Sequence, residues 1–116
     1  MGAPSSIVIF GVRTLFGQNF EGLEALELEQ HPWQQRAQEV SLTCWWQRIE
    51  DARVDCYALF IGDMVAHLGP ENDAVVDVAA ADLIARCKTA SEKFARSGLA
   101  QEFGPPSLWC QWLPDF

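Results

Sequence analysis

The feature that most constrains this chain is an apolar stripe in its C-terminal half. Within "NDAVVDVAAADLIARCKTASEKFARSG", Val76, Ala80, Leu83, Cys87, Ala90 and Phe94 succeed one another at steps of four and three. That spacing lines one side of an α-helix with hydrophobic residues. Asp82 with Arg86 and Glu92 with Arg96 stand one turn apart and are expected to pair across the outer side. Asn72 or Asp73 is the expected cap, and Gly98 followed by Leu99 fits a left-handed stop with its hydrophobic contact. One long helix over about residues 74–97 follows, although "VVDV" also reads as a short strand, so 75–79 stand open between the two states. A helix apolar on one side must bury that side against another layer.

Strands supply the layer. From Val40, "VSLTCWW" alternates, with Val40, Leu42, Cys44 and Trp46 on one face and Ser41, Thr43 and Trp45 on the other. Glu50–Arg53 has turn composition, "VDCYALFI" runs on, and Gly62–Asp63 has the residue types of a tight hairpin into "MVAHL". The expectation is an antiparallel meander over about residues 40–68, with Asp51 and Asp63 as turn residues. "SIVIFGV", Ser6–Val12, is apolar without polar alternation and suits a central strand buried on both faces. "SLWCQWL", after the break at Gly104–Pro106, suits a closing strand. Residues 20–35 are ambiguous between helix and strand, with a short helix or irregular link broken at Pro32 favoured. The fold class is therefore α+β: a single domain over 1–116 whose mainly antiparallel sheet packs against the one long helix. On that reading, Leu83→Asp sets a charge against the sheet and unfolds the chain.

Charge removes some function classes. Sixteen acidic residues against eight basic give a formal charge of −8, which repels a phosphate backbone and an anionic membrane, so neither nucleic acid nor membrane is expected as partner. The longest apolar runs, "IVIFGV" and "YALFI", fall far short of the ~20 residues that span a bilayer, and "MGAPSS" lacks the basic start of a secretory signal. Cys44, Cys56, Cys87 and Cys110 are widely spaced, without the close pair that opens a zinc or redox motif. Buried, reduced thiols in a cytoplasmic protein are the expectation, with no metal and no cofactor.

"TCWWQRIEDARVDCYALFIGDMVAHLG", Thr43–Gly69, concentrates residues that could carry chemistry. Under the meander register Cys56 and His67 share a face only on a diagonal, Cys44 lies opposite Leu59, and neighbours Asp55 and Cys56 point to opposite faces. These residues are expected to form no metal or catalytic centre, and His67 to serve the sheet.

What remains is aromatic excess. Five tryptophans are too many for a 116-residue chain to bury completely, and tryptophan is enriched at interfaces and ligand pockets alike. Strand alternation separates Trp45 from Trp46, so one faces the core and the other meets something else. The expected function is a non-catalytic interaction module acting through a Trp-containing, acid-rimmed surface on a protein partner. An aromatic small-molecule pocket between sheet and helix is the alternative, and an enzyme without recognisable motif the third reading. Trp45, Trp109, Trp33 and Tyr57 are the candidate contacts, and self-association as a symmetric homodimer is expected.

Overall fold

A computed structural model describes residues 5–17, 19–51, 54–69 and 75–113. The apolar run near the N-terminus lies inside strand β1 (Ser5–Phe16) and is buried on both sides, Ile7 and Ile9 in one hydrophobic cluster and Val12 in the other. Two short helices follow, α1 (Leu23–Glu27) and α2 (Pro32–Glu39). Then come strands β2 (Thr43–Asp51) and β3 (Val54–Leu68), helices α3 (Ala80–Ser97) and α4 (Leu99–Phe103), and strand β4 (Ser107–Leu113). The strands form one antiparallel sheet in the order β2-β3-β1-β4. The result is α+β, with β1 central, in the βαββαβ succession of the split βαβ, ferredoxin-like arrangement.

Two differences from the sequence expectation matter. The hairpin over residues 50–53 is in place, because Asp51 pairs with Val54; residues 52 and 53 themselves lie outside the described set. The second hairpin is not. Chain direction is unbroken through Gly62 and Asp63, and "VDCYALFI" and "MVAHL" are one 15-residue strand that pairs along β1 from Tyr57 to Leu68. The glycine answers to close approach instead of a turn. Gly62 faces Gly11 across the central pair, where a Cβ on Gly11 would stand 1.9 Å from the Ile61 carbonyl oxygen. Asp63 is held from across the layers: Arg86 Nε donates to its Oδ2 at 2.7 Å and Arg86 Nη2 to its Oδ1 at 3.0 Å and to the Met64 carbonyl at 2.7 Å. Arg86 therefore serves the sheet and not the expected pair with Asp82.

The long helix begins six residues later than expected, at Ala80. Its N-cap is Ala79, without a side-chain hydrogen bond, and residues 75–79 are neither helix nor strand. Asn72 and Asp73, the expected caps, lie outside the described residues. Its end matches expectation: Gly98 adopts φ 82° and Leu99 beyond it is fully buried. The apolar stripe is used unevenly, since Ala90 and Phe94 are buried while Leu83 and Cys87 are half-buried and Ala80 is exposed. In the ambiguous stretch Pro32 starts a helix instead of breaking one, as the first residue of α2. Val40, Ser41 and Leu42 precede β2, the turn at Ser41 having φ 60°.

All four helices lie on one side. Leu26 of α1, Ala37 of α2, Ala90 and Phe94 of α3 and Leu99 of α4 share a cluster with Val12, Leu59 and Ile61. The cluster on the opposite side, Ile7, Ile9, Ala58 and Phe60, receives Trp45, Met64 and Trp109 and, among the described residues, no helical one.

Candidate functional site

The helix-free face of the sheet is the most distinctive surface of the molecule. Register places Trp45 of β2 opposite Phe60 of β3, and Phe60 opposite Arg13 of β1. The Trp45 and Phe60 ring centroids are 5.6 Å apart. Trp109 of β4 leans along β1, its indole N–H donating to the Gly11 carbonyl at 3.0 Å. The Arg13 guanidinium carbon lies 5.8 Å from the Phe60 ring centre and 5.9 Å from that of Trp109, within cation–π range. An aromatic, aromatic, cation, aromatic row thus crosses all four strands. Phe60 within it and Ile9 and Ala58 beneath it have no exposure at all.

This layer takes the place of a helix in excluding water, but its polar groups are incompletely matched. Ser5 Oγ, Arg13 Nε and Gln47 Oε1 are buried without a hydrogen-bond partner. Strand alternation sets all three on this face: Ser5 and Arg13 in phase with Ile7 and Ile9, Gln47 in phase with Trp45. A buried polar atom without partner is uncommon in a native protein and costs about 1–3 kcal/mol. Leu15, in the same phase, is 42% exposed. Among the described side chains of this face there is no carboxylate, so the acid rim of the sequence expectation has no counterpart in them.

The four candidate contacts divide between the two sides. Trp45 and Trp109 meet the helix-free cluster; Trp33 and Tyr57 lie with the helices. Trp33 of α2 contacts Phe20, His31 and Phe103, and its indole N–H donates to Glu102 Oε1 at 2.7 Å. Arg36 also donates to Glu102, fastening α2 to α4. The Trp33 hydrogen bond, aided by Arg36, holds the Glu102 carboxyl below its ordinary pKa. Tyr57 stacks on Phe16 at 5.6 Å and meets Trp46 at the same distance. Alternation did separate Trp45 from Trp46, the first on the helix-free face and the second on the helix side. Arg13, Gln47 and Ser5 went unnoticed in the sequence, although the phase of Arg13 with Ile7 and Ile9 was the available signal.

The chemistry-bearing residues of Thr43–Gly69 stay apart. Cys56 and His67 lie on the same strand, pairing with Ile49 and Ile7. Eleven residues of strand separate them by roughly 36 Å, at about 3.3 Å each, so they form no dyad. Cys44 pairs with Ile61, not Leu59, and burial pushes its thiol up to about 12, where it is no nucleophile. Cys110 is exposed, against the expectation of buried thiols. No three His, Cys, Asp or Glu side chains among the described residues group as a metal site, and no helix among them is long and apolar enough to cross a membrane.

Clefts among the described residues lie at the edge of the aromatic row and on the helix side. One of about 570 Å³ opens beside edge strand β2, with Glu29, Gln34 and Gln38 facing Cys44, Trp45 and Trp46. Another, of about 310 Å³, includes Asp63, Arg86 and Lys93. There Asp63 is engaged by Arg86, and Lys93 Nζ donates to the Ser41 carbonyl. Compared with known proteins, the chain matches no family model, no curated protein and no solved structure.

Proposed function

We propose that this chain is a non-catalytic interaction module that docks through the helix-free face of its sheet onto a protein surface. The observation that carries the reading is the conjunction on that face of an aromatic row, Trp45, Phe60 and Trp109, with a cation, Arg13, that no carboxylate among the described side chains engages. Tryptophan and arginine are the residues in which binding energy concentrates at protein interfaces. A partner that covers the row also offers hydrogen-bonding groups to Arg13 and Gln47. The thiols are unpaired and Cys110 is exposed, which suits a reducing compartment such as the cytoplasm.

Hydroxyl-radical footprinting read by mass spectrometry tests this directly. Oxidation of Trp45 and Trp109 in expressing cells is expected to fall well below that in the dilute purified chain. Trp112, 58% exposed on the helix side of β4, is expected to react equally in both. Equal reactivity of all three in both settings refutes the reading.

The cleft beside β2 supports a second reading, a small-molecule site. It carries two indoles and the polar groups of Glu29, Gln34 and Gln38, the mixture that orients a ligand in an apolar setting. A metabolite that quenches Trp46 fluorescence in the parent but not in a Gln38→Leu variant would favour it.

A further inference from the structure

We infer that the occupant of the helix-free face is a second copy of this chain, packed sheet against sheet about a two-fold axis that passes over β3 near Ala58 and Phe60. The inference rests on the docking reading above and adds the partner's identity.

Three observations select a second copy. The first is self-complementarity. One face carries both an unmatched donor, Arg13 Nε–H, and an unmatched acceptor, Gln47 Oε1. They stand on β1 and β2, with β3 between them, about 10 Å apart at ~4.8 Å per strand. Each is out of the other's reach within the chain. A two-fold axis over the intervening strand brings Arg13 of one copy to Gln47 of the other, and the reverse, so that one contact is made twice. Neither group is held by a hydrogen bond at these atoms.

The second is charge. A chain of net charge −8 resists meeting its own kind unless its acids face away. Among the described side chains of this face the charged residue is Arg13, and no carboxylate joins it. Two sheets packed about 10 Å apart keep the acids of the helical sides beyond the ~8 Å Debye length of physiological salt. A basic partner, in contrast, would find no acid among the described side chains there to pair with.

The third is size. Four strands of 7 to 15 residues give a footprint on the order of 600 Å² at ~4.8 Å between strands and ~3.3 Å per residue. Side-chain relief raises the accessible area above that, close to the ~800 Å² per partner of a stable interface.

Sedimentation equilibrium on the full chain is the test. The parent is expected near 26 kDa at micromolar concentration, twice its 13.0 kDa. Leu15→Lys alters a side chain already 42% exposed in the single chain, so it should fold, as circular dichroism would show, while the dissociation constant rises at least ~10-fold. Arg13→Glu should weaken the dimer likewise, and Arg13→Glu with Gln47→Arg should restore it. Mixing the two single variants, Arg13→Glu in one chain and Gln47→Arg in the other, should restore association as well, and rescue in that mixture reports contact between copies. Trp112→Ser, on the other side of the sheet, should leave the mass unchanged.

A parent that sediments at 13.0 kDa through hundreds of micromolar overturns the inference. So does a dimer that survives Leu15→Lys and Arg13→Glu but dissociates in Trp112→Ser, which would place contact on the helix side of β4. Failure of rescue overturns the proposed axis and its Arg13–Gln47 contact. In the monomeric case the docking reading is judged separately. Trp45 and Trp109 protected in cells would assign the face to a different protein, and the same residues unprotected would remove both readings.

Discussion

On the helix-covered side of the sheet, Leu26, Phe94 and Leu99 have no exposure, and the helices above them are tied down by matched polar groups. Arg86 grips Asp63 and the Met64 carbonyl, Trp33 and Arg36 meet on Glu102, and His31 caps α2. On the other side Ile9 and Phe60 are equally hidden, yet among the described residues the side chains packed over them belong to the sheet itself, and Ser5, Arg13 and Gln47 keep buried atoms without partners. Water exclusion and polar matching are separable achievements. The chain accomplishes both on one face and only the first on the other, and this asymmetry is why the second face is read as an interface.

The largest expected effect tests the covered side. Phe94→Ala removes a ring at zero exposure from the cluster to which all four helices contribute and should cost about 3–5 kcal/mol in urea denaturation, enough to unfold a marginal domain. A variant that loses under about 1 kcal/mol would show that the helices do not depend on this cluster, and the contrast between the faces would collapse.

The second effect belongs to the seam where both faces meet. Gly11→Ala sets a methyl group 1.9 Å from the Ile61 carbonyl oxygen, and because the obstacle is backbone in the central strand pair, no rotamer change relieves it. The expected loss is about 2–3 kcal/mol. Near-parent stability would mean that β1 and β3 can separate there, loosening the Trp109 bond to Gly11 and with it the aromatic row.

Much of this architecture was legible in the sequence. Where one physical cause governs a pattern, the pattern was sufficient: β1 reads as a strand buried on both faces because Ile7, Ile9, Phe10 and Val12 are all apolar, β4 reads as a closing strand from its alternation, and the long helix ends where Gly98 supplies positive φ. Residues with two common uses misled. Gly62–Asp63 has the chemistry of a turn, yet the glycine admits a neighbouring strand and the aspartate takes Arg86, 23 residues away. The start of α2 was read as a break because Pro32 can end a helix or open one, and histidine is not among the usual caps that would have decided between them. The asymmetry of the faces was hidden for a different reason: Trp45 and Trp109 announce their strand phase, but not whether helices will cover that phase.

The third prediction compares the two ends of α3. Leu83 lies on the expected stripe but is half-buried, and neighbouring Ile84 is 69% exposed. The charge introduced by Leu83→Asp therefore keeps contact with water, and the expected cost falls from outright unfolding to about 1 kcal/mol. Loss of the folded state in this variant would mean that the first turns of the helix are as essential as Phe94, and that the covered side extends further than its exposures indicate.

The smallest effect is a dependence on pH, confined to the covered side. His31 caps α2 with a neutral ring: its Nδ1 accepts the Trp33 N–H at 3.1 Å, while its own backbone N–H donates to Gln34 Oε1 at 3.0 Å. Burial lowers the pKa of the imidazole and Arg36 adds to the lowering, while the Glu102 carboxylate opposes it. With the folded-state value below the ordinary 6.5 or so, the unfolded chain binds the proton more readily. This contribution to stability is complete above about pH 6.5 and is lost as pH falls through the folded-state value, below which it changes no further. A partly exposed cap is worth about 0.5–1 kcal/mol. His31→Asn supplies an acceptor that does not titrate, so the difference in stability between parent and variant should shrink or reverse from pH 8 to pH 5. Parallel curves over that range would show that protonation leaves the cap intact, and that the covered face holds α2 by Trp33, Arg36 and Glu102 without the imidazole.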